Sequence, residues 1–228
     1  MLDIRFQDAH LMVIYKPRGV VVHEGVGVKS GTLQDDLATF YRVMKIPTDK
    51  LDRMGLVHRL DKNTAGLMVV AKTPQCQEKL NALIKEHKIK RTYNGLVEGV
   101  LHGNGTIDKN LDRAKSDRTT YMVVPKPNGR TAITHYTVLQ NYARGTLVKF
   151  ELETGRTHQI RVHCKSIGKP LVGDPEYNPN GKISNGIGQM LESVEIQFTH
   201  PITGQDIHIS APTSEIFQEN IKKLGQKS

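Results

Sequence analysis

Cysteine is nearly absent: Cys76 and Cys164 are the 2 among 228 residues. They are too few for a disulfide framework and lack the CxxC spacing of a redox or zinc motif, so both read as packing residues in a reduced compartment. No run of about eighteen apolar residues occurs, which leaves no candidate membrane span. The opening MLDIRFQDAH lacks the basic-then-apolar pattern of a secretory signal. The expected location is the cytoplasm. Neither a dinucleotide-binding nor a P-loop fingerprint is present, and there is no repeat, low-complexity tract or clear linker. One domain, residues 1–228, is the expectation. Acidic residues are also in deficit, 23 Asp and Glu against 32 Lys and Arg, a net charge of +9.

A basic excess of that size suits a polyanion, because each Lys or Arg that meets a phosphate releases condensed counterions. Its distribution matters more than its sum. Lys85, Lys88, Lys90 and Arg91 crowd one short segment, and Arg113, Lys115, Arg118, Lys126 and Arg130 fall in a stretch rich in turn formers. No basic amphipathic helix with a bulky apolar face stands out, so nucleic acid ranks ahead of a membrane surface.

With 37% hydrophobic residues the chain can bury a core. His10 to Tyr15 and Val20 to His23 read as strands around the turn Lys16-Pro17-Arg18-Gly19. Thr32 caps a helix whose stripe is Leu33, Leu37, Phe40, Tyr41 and Met44, closed by Pro47. Leu56 to Leu60 and Leu67 to Lys72 read as strands flanking a turn at Asp61; Thr73-Pro74 opens a second helix, and Ile89 to Val97 returns to strand. Residues 102 to 118 and 125 to 130 read as loops around a short strand, Tyr121 to Val124. Ala132 to Tyr142 and Thr146 to Glu153 are strands, the second with Val148, Phe150 and Leu152 on a buried face. Thr157 is expected to cap a helix that Gly168 ends, followed by strands Val194 to Phe198 and Asp206 to Ser210 and a helix from Thr213 to Leu224. Strands that follow strands through short connections predict an α+β fold with a mixed, largely antiparallel sheet.

Two stretches hold chemistry. In VHRLDKNTAG, charged side chains stand between two apolar runs, where they are costly to desolvate without partners. By strand alternation Arg59 and Asp61 share one side while His58 and Leu60 face the other. Alone, Asp61 could simply cap the DKNTAG turn, with Arg59 shielding it. In ETGRTHQIRVH, a glycine turn leads into a helix start, where free N–H groups, Arg156 and Arg161 favour an anion. A cap with surface arginines explains that segment equally well. His158, His163 and Cys164 have the wrong spacing for a metal site and no completing cluster.

VHRLDKNTAGLMVVAK, KIKRTYNGLVEG and TGRTHQIRVHCKSIGKPLVGDPEY resemble, in order and spacing, the signature segments of the RluA-type pseudouridine synthases, and YKPRGVVVH resembles their amino-terminal segment. The likeness runs from about His10 to Pro212. It implies a pseudouridine synthase fold with a cleft across the central sheet, without the S4-like domain that many relatives carry at the amino terminus. It also implies an enzyme that isomerises uridine to pseudouridine in structured RNA, ribosomal or transfer, with no cofactor and no metal. By resemblance Asp61 is the catalytic carboxylate, as nucleophile, base or electrostatic partner of the ribose. Arg161 is the basic partner that keeps it ionised, and Tyr93 stacks on the uracil or moves its C5 proton. Because the uridine must leave its stack, Arg59 is expected to fill or brace the gap, the alternative being that it only contacts phosphate. His58, Arg156, Lys88, Lys90 and Arg91 complete the expected RNA contacts.

The chain departs from the family where many relatives carry Leu-His-Ala and this sequence reads Met190-Leu191-Glu192-Ser193, and its loop Asn178 to Gly188 is poor in basic residues. A catalytically silent RNA-binding or RNA-folding module is the alternative. A base-releasing glycosidase ranks last, since it needs a second carboxylate and only Glu153 is near in sequence. A monomer is the default.

Overall fold

In the computed structural model, residues 2–25, 28–115, 117, 119–183 and 186–225 are described; Arg118, one of the basic loop residues, lies outside them. The chain divides into two compact units, Met1–Arg91 with Ser193–Ala211, and Thr92–Glu192 with Pro212–Ser228, where the sequence reads as one domain.

The first unit contains strands β1 (Asp3–Gln7), β2 (Leu11–Lys16) and β3 (Ala65–Ala71), most of β10 (Leu191–Thr199), and β11 (Asp206–Ser210). They run in the order β1-β2-β3-β10, with β11 on β10. The β1–β2, β2–β3 and β10–β11 pairs are antiparallel, Ile14 opposite Met68 and Val13 opposite Val69. Every residue of β3 is buried, which is why its sequence is a continuous apolar run rather than an alternation. Helix α1 (Leu33–Val43) starts at a reciprocal cap: Thr32 Oγ1 accepts from the Asp35 amide, and the Asp35 carboxylate accepts from the Thr32 amide. Its buried stripe is Leu33, Leu37 and Tyr41, and the Tyr41 hydroxyl donates to the Ala71 carbonyl at 2.8 Å. Helix α2 (Pro74–Lys85) has Thr73 as its cap and Pro74 at its first position. It packs Cys76 and Leu80 against Leu67, Val69 and Ile196.

The second unit carries β4 (Lys90–Glu98, from Thr92 on), β5 (Asn104–Asp108), β8 (Ile133–Asn141) and β9 (Gly145–Leu152) in the order β4-β9-β8-β5, each neighbour antiparallel. A separate ribbon pairs β6 (Leu111–Arg113) with β7 (Tyr121–Val123). Helices α3 (Gln159–Ser166) and α4 (Glu215–Gly225) complete it, α4 placing Phe217 and Leu224 in a cluster with Leu96, Val172 and Met190. The fold is α+β with antiparallel pairing, as the sequence predicts.

Four local expectations are corrected. Val20 to His23 forms no strand; the Val21 and Val22 carbonyls instead accept from the Leu33 and Gln34 amides and finish the start of α1. Leu56 to Leu60 forms no strand beyond the single bridge Leu56–Val70, so its apolar residues pack without pairing. The segment 102 to 118, read as loop from its turn formers, contains β5 and β6; β5 finds its partner in β8, beyond the reach of a local pattern. Thr157 does not cap α3. His158 does, in the left-handed region at φ 56°, while Gln159 Oε1 accepts from the Arg156 amide and the Thr154 hydroxyl.

Gly66, the second residue of β3, has φ +120°, and a Cβ there would lie 2.2 Å from the Ser193 carbonyl oxygen. Gly19 also has a positive φ, +85°, but its Cβ would meet nothing within 4 Å. Gly66→Ala is therefore expected to cost about 3 kcal/mol or more in urea unfolding, and Gly19→Ala only about 1 kcal/mol. Equal losses would mean that backbone conformation, not the close approach of β10, governs Gly66.

Candidate active site

The turn that carries Asp61 is gripped from behind by the segment that follows β2. The amide of Thr64 donates to the Asp61 carbonyl, closing the turn. The next carbonyl, that of Lys62, accepts from the Gly19 amide at 2.9 Å and from Lys16 Nζ at 3.1 Å, and Arg18 Nη1 donates to the carbonyl of Asn63. Lys16 also donates to the carbonyls of Pro17 at 2.9 Å and Val20 at 2.8 Å, so the three protons of this fully buried ammonium have three acceptors. Burial, and then the Arg18 charge, push the Lys16 ammonium down to about 7, while the Asp61 carboxylate opposes them. The YKPRG and DKNTAG motifs thus form one substructure in the first unit. Asp61 itself is half-buried.

Of the other expected site residues in this unit, Arg59 is exposed, its Nη1 3.2 Å from His23 Nε2. Lys88 and Lys90 are exposed, Lys88 paired with Glu86 at 2.7 Å. His58 is half-buried and Arg91 is buried. His58 Nε2 accepts from the Val69 amide at 3.0 Å, inside β3. Burial, and then the Arg91 charge, push the imidazole down to about 3, so it is neutral. Its pairing with the backbone of β3 lies far from its own position in sequence, which no local pattern could signal.

In the second unit Tyr93 lies on β4 opposite Phe150 of β9 and is buried. Arg156 donates from Nε to the Thr131 carbonyl at 2.9 Å. Arg161, on the first turn of α3, is buried and meets two carboxylates that the sequence reading did not single out. Its Nε and Nη2 each lie 2.8 Å from the two oxygens of Asp174, and Nη2 lies 3.0 Å from Glu176. The expectation that no acid stands near the Arg161 segment is therefore corrected: Asp174 and Glu176 come from the GDPEY turn, whose Asp was legible as a motif letter but not as a partner. The tip of Tyr177 accepts from the Tyr121 amide and meets His158 Nδ1 at 2.8 Å, tying the β6–β7 ribbon to the start of α3. The amide of Arg156 is already bonded to Gln159, so the helix start offers less to an anion than its sequence suggests.

The departure at residues 190 to 193 also acquires a use. Glu192 is fully buried, and its carboxylate accepts from the amide of Ser214 at 2.8 Å and from its hydroxyl, just ahead of α4. Among the described residues no group of three or more His, Cys, Asp or Glu could hold a metal ion, and no helix is long and apolar enough to cross a membrane.

The same fold occurs in two solved human structures, those of RNA pseudouridylate synthase domain containing 4 and domain containing 1. The first has TM-score 0.78 at 23% identity and covers 97% of this chain and 92% of its own; the second has 0.74 at 24%, covering 93% and 84%. Residues 10–166 match the family described as RNA pseudouridylate synthase. A Bacillus subtilis protein named uncharacterized RNA pseudouridine synthase YlyB is 41% identical over 98% of this chain and 73% of its own length. Ribosomal large subunit pseudouridine synthase D of Haemophilus influenzae is 38% identical over 98% of this chain and 71% of its own. The chain belongs to the RNA pseudouridylate synthase family and is an enzyme of that class.

The low value at His58 carries a pH signature. A base whose folded pKa lies below its ordinary 6.5 takes up its proton more readily when unfolded, so stability falls as pH drops from about 6.5 toward 3. The contribution is on the order of 1 kcal/mol per pH unit. Urea unfolding at pH 7 and pH 4.5 should show that loss in the wild type, and His58→Gln, which can still accept from Val69, should show less of it. An identical acid dependence in both proteins would place the sensitivity elsewhere.

Proposed function

We propose that this chain converts uridine to pseudouridine in structured RNA through Asp61, with Tyr93 and Arg161 serving the same reaction. What carries the reading is the anchored Asp61 turn: four motifs of the family are present, and the backbone behind the carboxylate is held by Lys16, Arg18 and Gly19. The reaction breaks the C1′–N1 bond, turns the uracil while it is held, and joins C5 to C1′, the proton leaving C5 and one returning to N1. The electron-poor ribose needs an anion, which Asp61 supplies as nucleophile, base or electrostatic partner. Arg161 supplies the fixed positive charge that favours the ionised carboxylate. Tyr93 is proposed to stack on the base, its hydroxyl serving in the transfer of the C5 proton. Arg59, exposed beside the turn, braces the space left by the everted nucleotide.

Relatives named ribosomal large subunit pseudouridine synthase D make large-subunit ribosomal RNA the first substrate to test, ahead of transfer RNA. The protein is proposed to work as a cytoplasmic monomer, with residues 1–228 as one catalytic domain and with neither metal nor cofactor. Lys88, Lys90 and Arg156 are proposed to touch phosphate, which positions the RNA without selecting it.

Asp61→Asn should abolish pseudouridine formation, read by site mapping in ribosomal RNA, while RNA affinity stays within about threefold, because the charge acts on chemistry more than on docking. Retained turnover would end this assignment. Separately, replacing Lys88 and Lys90 together by Gln should reduce the magnitude of the slope of log K against log salt by about 1.5 to 2. An unchanged slope would remove both from the interface.

A further inference from the structure

We infer that Asp174 is a positioning residue for the reaction: it holds the guanidinium fork of Arg161 in one orientation without touching the substrate. The inference rests on the role proposed above for Arg161. Asp174 is fully buried, and its carboxylate is claimed by donors of two kinds. Oδ1 accepts from the amides of Glu176 and Tyr177, both at 3.0 Å, so the turn itself fixes where the carboxylate stands. The same oxygen accepts from Arg161 Nη2 and the other from Nε, both at 2.8 Å. That is the bidentate match of a guanidinium edge to a carboxylate, which sets an angle as well as a distance.

Two further groups bound the fork. The Tyr177 ring lies under it, 4.8 Å from the guanidinium carbon to the ring centroid. Glu176 accepts from Nη2 at 3.0 Å and lies 3.3 Å from His158 Nδ1, so one carboxylate links the arginine to the residue that caps α3. A lysine at position 161 could satisfy the charge of Asp174 but not this geometry. Stability alone is a poor account of the pair, because a buried ion pair often gains little over an apolar replacement. What the pair does supply is orientation.

In Asp174→Asn the side-chain amide cannot accept from Nε and Nη2 together, so one edge of the fork loses its acceptor. The expected result is a kcat at least about 30-fold lower with RNA Kd within about threefold, the split expected when an interaction serves the transition state rather than binding. In the double variant with Arg161→Lys, turnover should be no lower than in Arg161→Lys alone, because Asp174 acts only through the fork. Full kcat in Asp174→Asn, or losses that multiply in the double variant, would overturn the inference. A readout without turnover is the Arg161 Nε–H signal in 15N NMR, expected to be protected from solvent exchange in the wild type and lost in Asp174→Asn. A retained signal would also overturn the inference. Should Asp174→Asn fail to fold, Asp174→Glu keeps the charge and displaces it by one methylene: lower kcat at unchanged Kd supports the inference, and full kcat overturns it. A wild-type protein that binds RNA without isomerising it would instead refute the proposed function and, with it, any catalytic role for the fork, while the NMR signal would still report whether Asp174 holds it.

Discussion

The backbone behind Asp61 cannot move independently of the first unit, and the proposed chemistry depends on that constraint. The Lys62 carbonyl is shared between the Gly19 amide and Lys16 Nζ, and the Asn63 carbonyl is taken by Arg18. In the role proposed for Asp61, a carboxylate that must meet a ribose carbon within bonding or hydrogen-bonding reach would lose rate steeply if its support shifted, and the bonds to the carbonyls behind it limit such a shift. The arrangement also explains why a lysine is buried here at all. Its three protons are satisfied, its ammonium is pushed down to about 7, and the negative charge of Asp61 works against that fall. An apolar residue could fill the volume but could not join three carbonyls from two segments.

The support continues into β3. Just after the turn, Gly66 lets the strand pass within contact of the Ser193 backbone, as one of the seven consecutive buried residues of β3. His58 adds a stitch from the other side by accepting from the Val69 amide, a role that requires it to remain neutral. The histidine of the VHRLD motif thus bonds to β3, while the arginine beside it is exposed.

In the second unit the same logic is carried by charge rather than by carbonyls. Asp174 takes its place from two amides of its own turn and passes it on to Arg161, and Glu176 extends the set to His158. Glu192 is a further buried carboxylate in this unit, satisfied by the amide and hydroxyl of Ser214 ahead of α4. A buried carboxylate without those donors would be costly, so Glu192 and Ser214 are best read together.

The sequence by itself determined what depends on neighbours in the chain. The caps at Thr32 and Thr73, the apolar run of β3, the alternation in β9 and the last helix were all legible, because caps and periodicity are local. The motifs naming Asp61, Tyr93 and Arg161 were legible for the same reason, as ordered letters. Only the tertiary structure decided which of those letters have partners. β5 is a strand because β8 lies beside it, His58 is held against β3 because Val69 offers an amide, and Arg161 is a fixed fork because Asp174, thirteen residues on, is turned back toward it. Hydrogen bonds and ion pairs are made between groups close in space, and a pattern read along the chain records spacing only; that is why the chemistry was announced by the sequence and its anchorage was not.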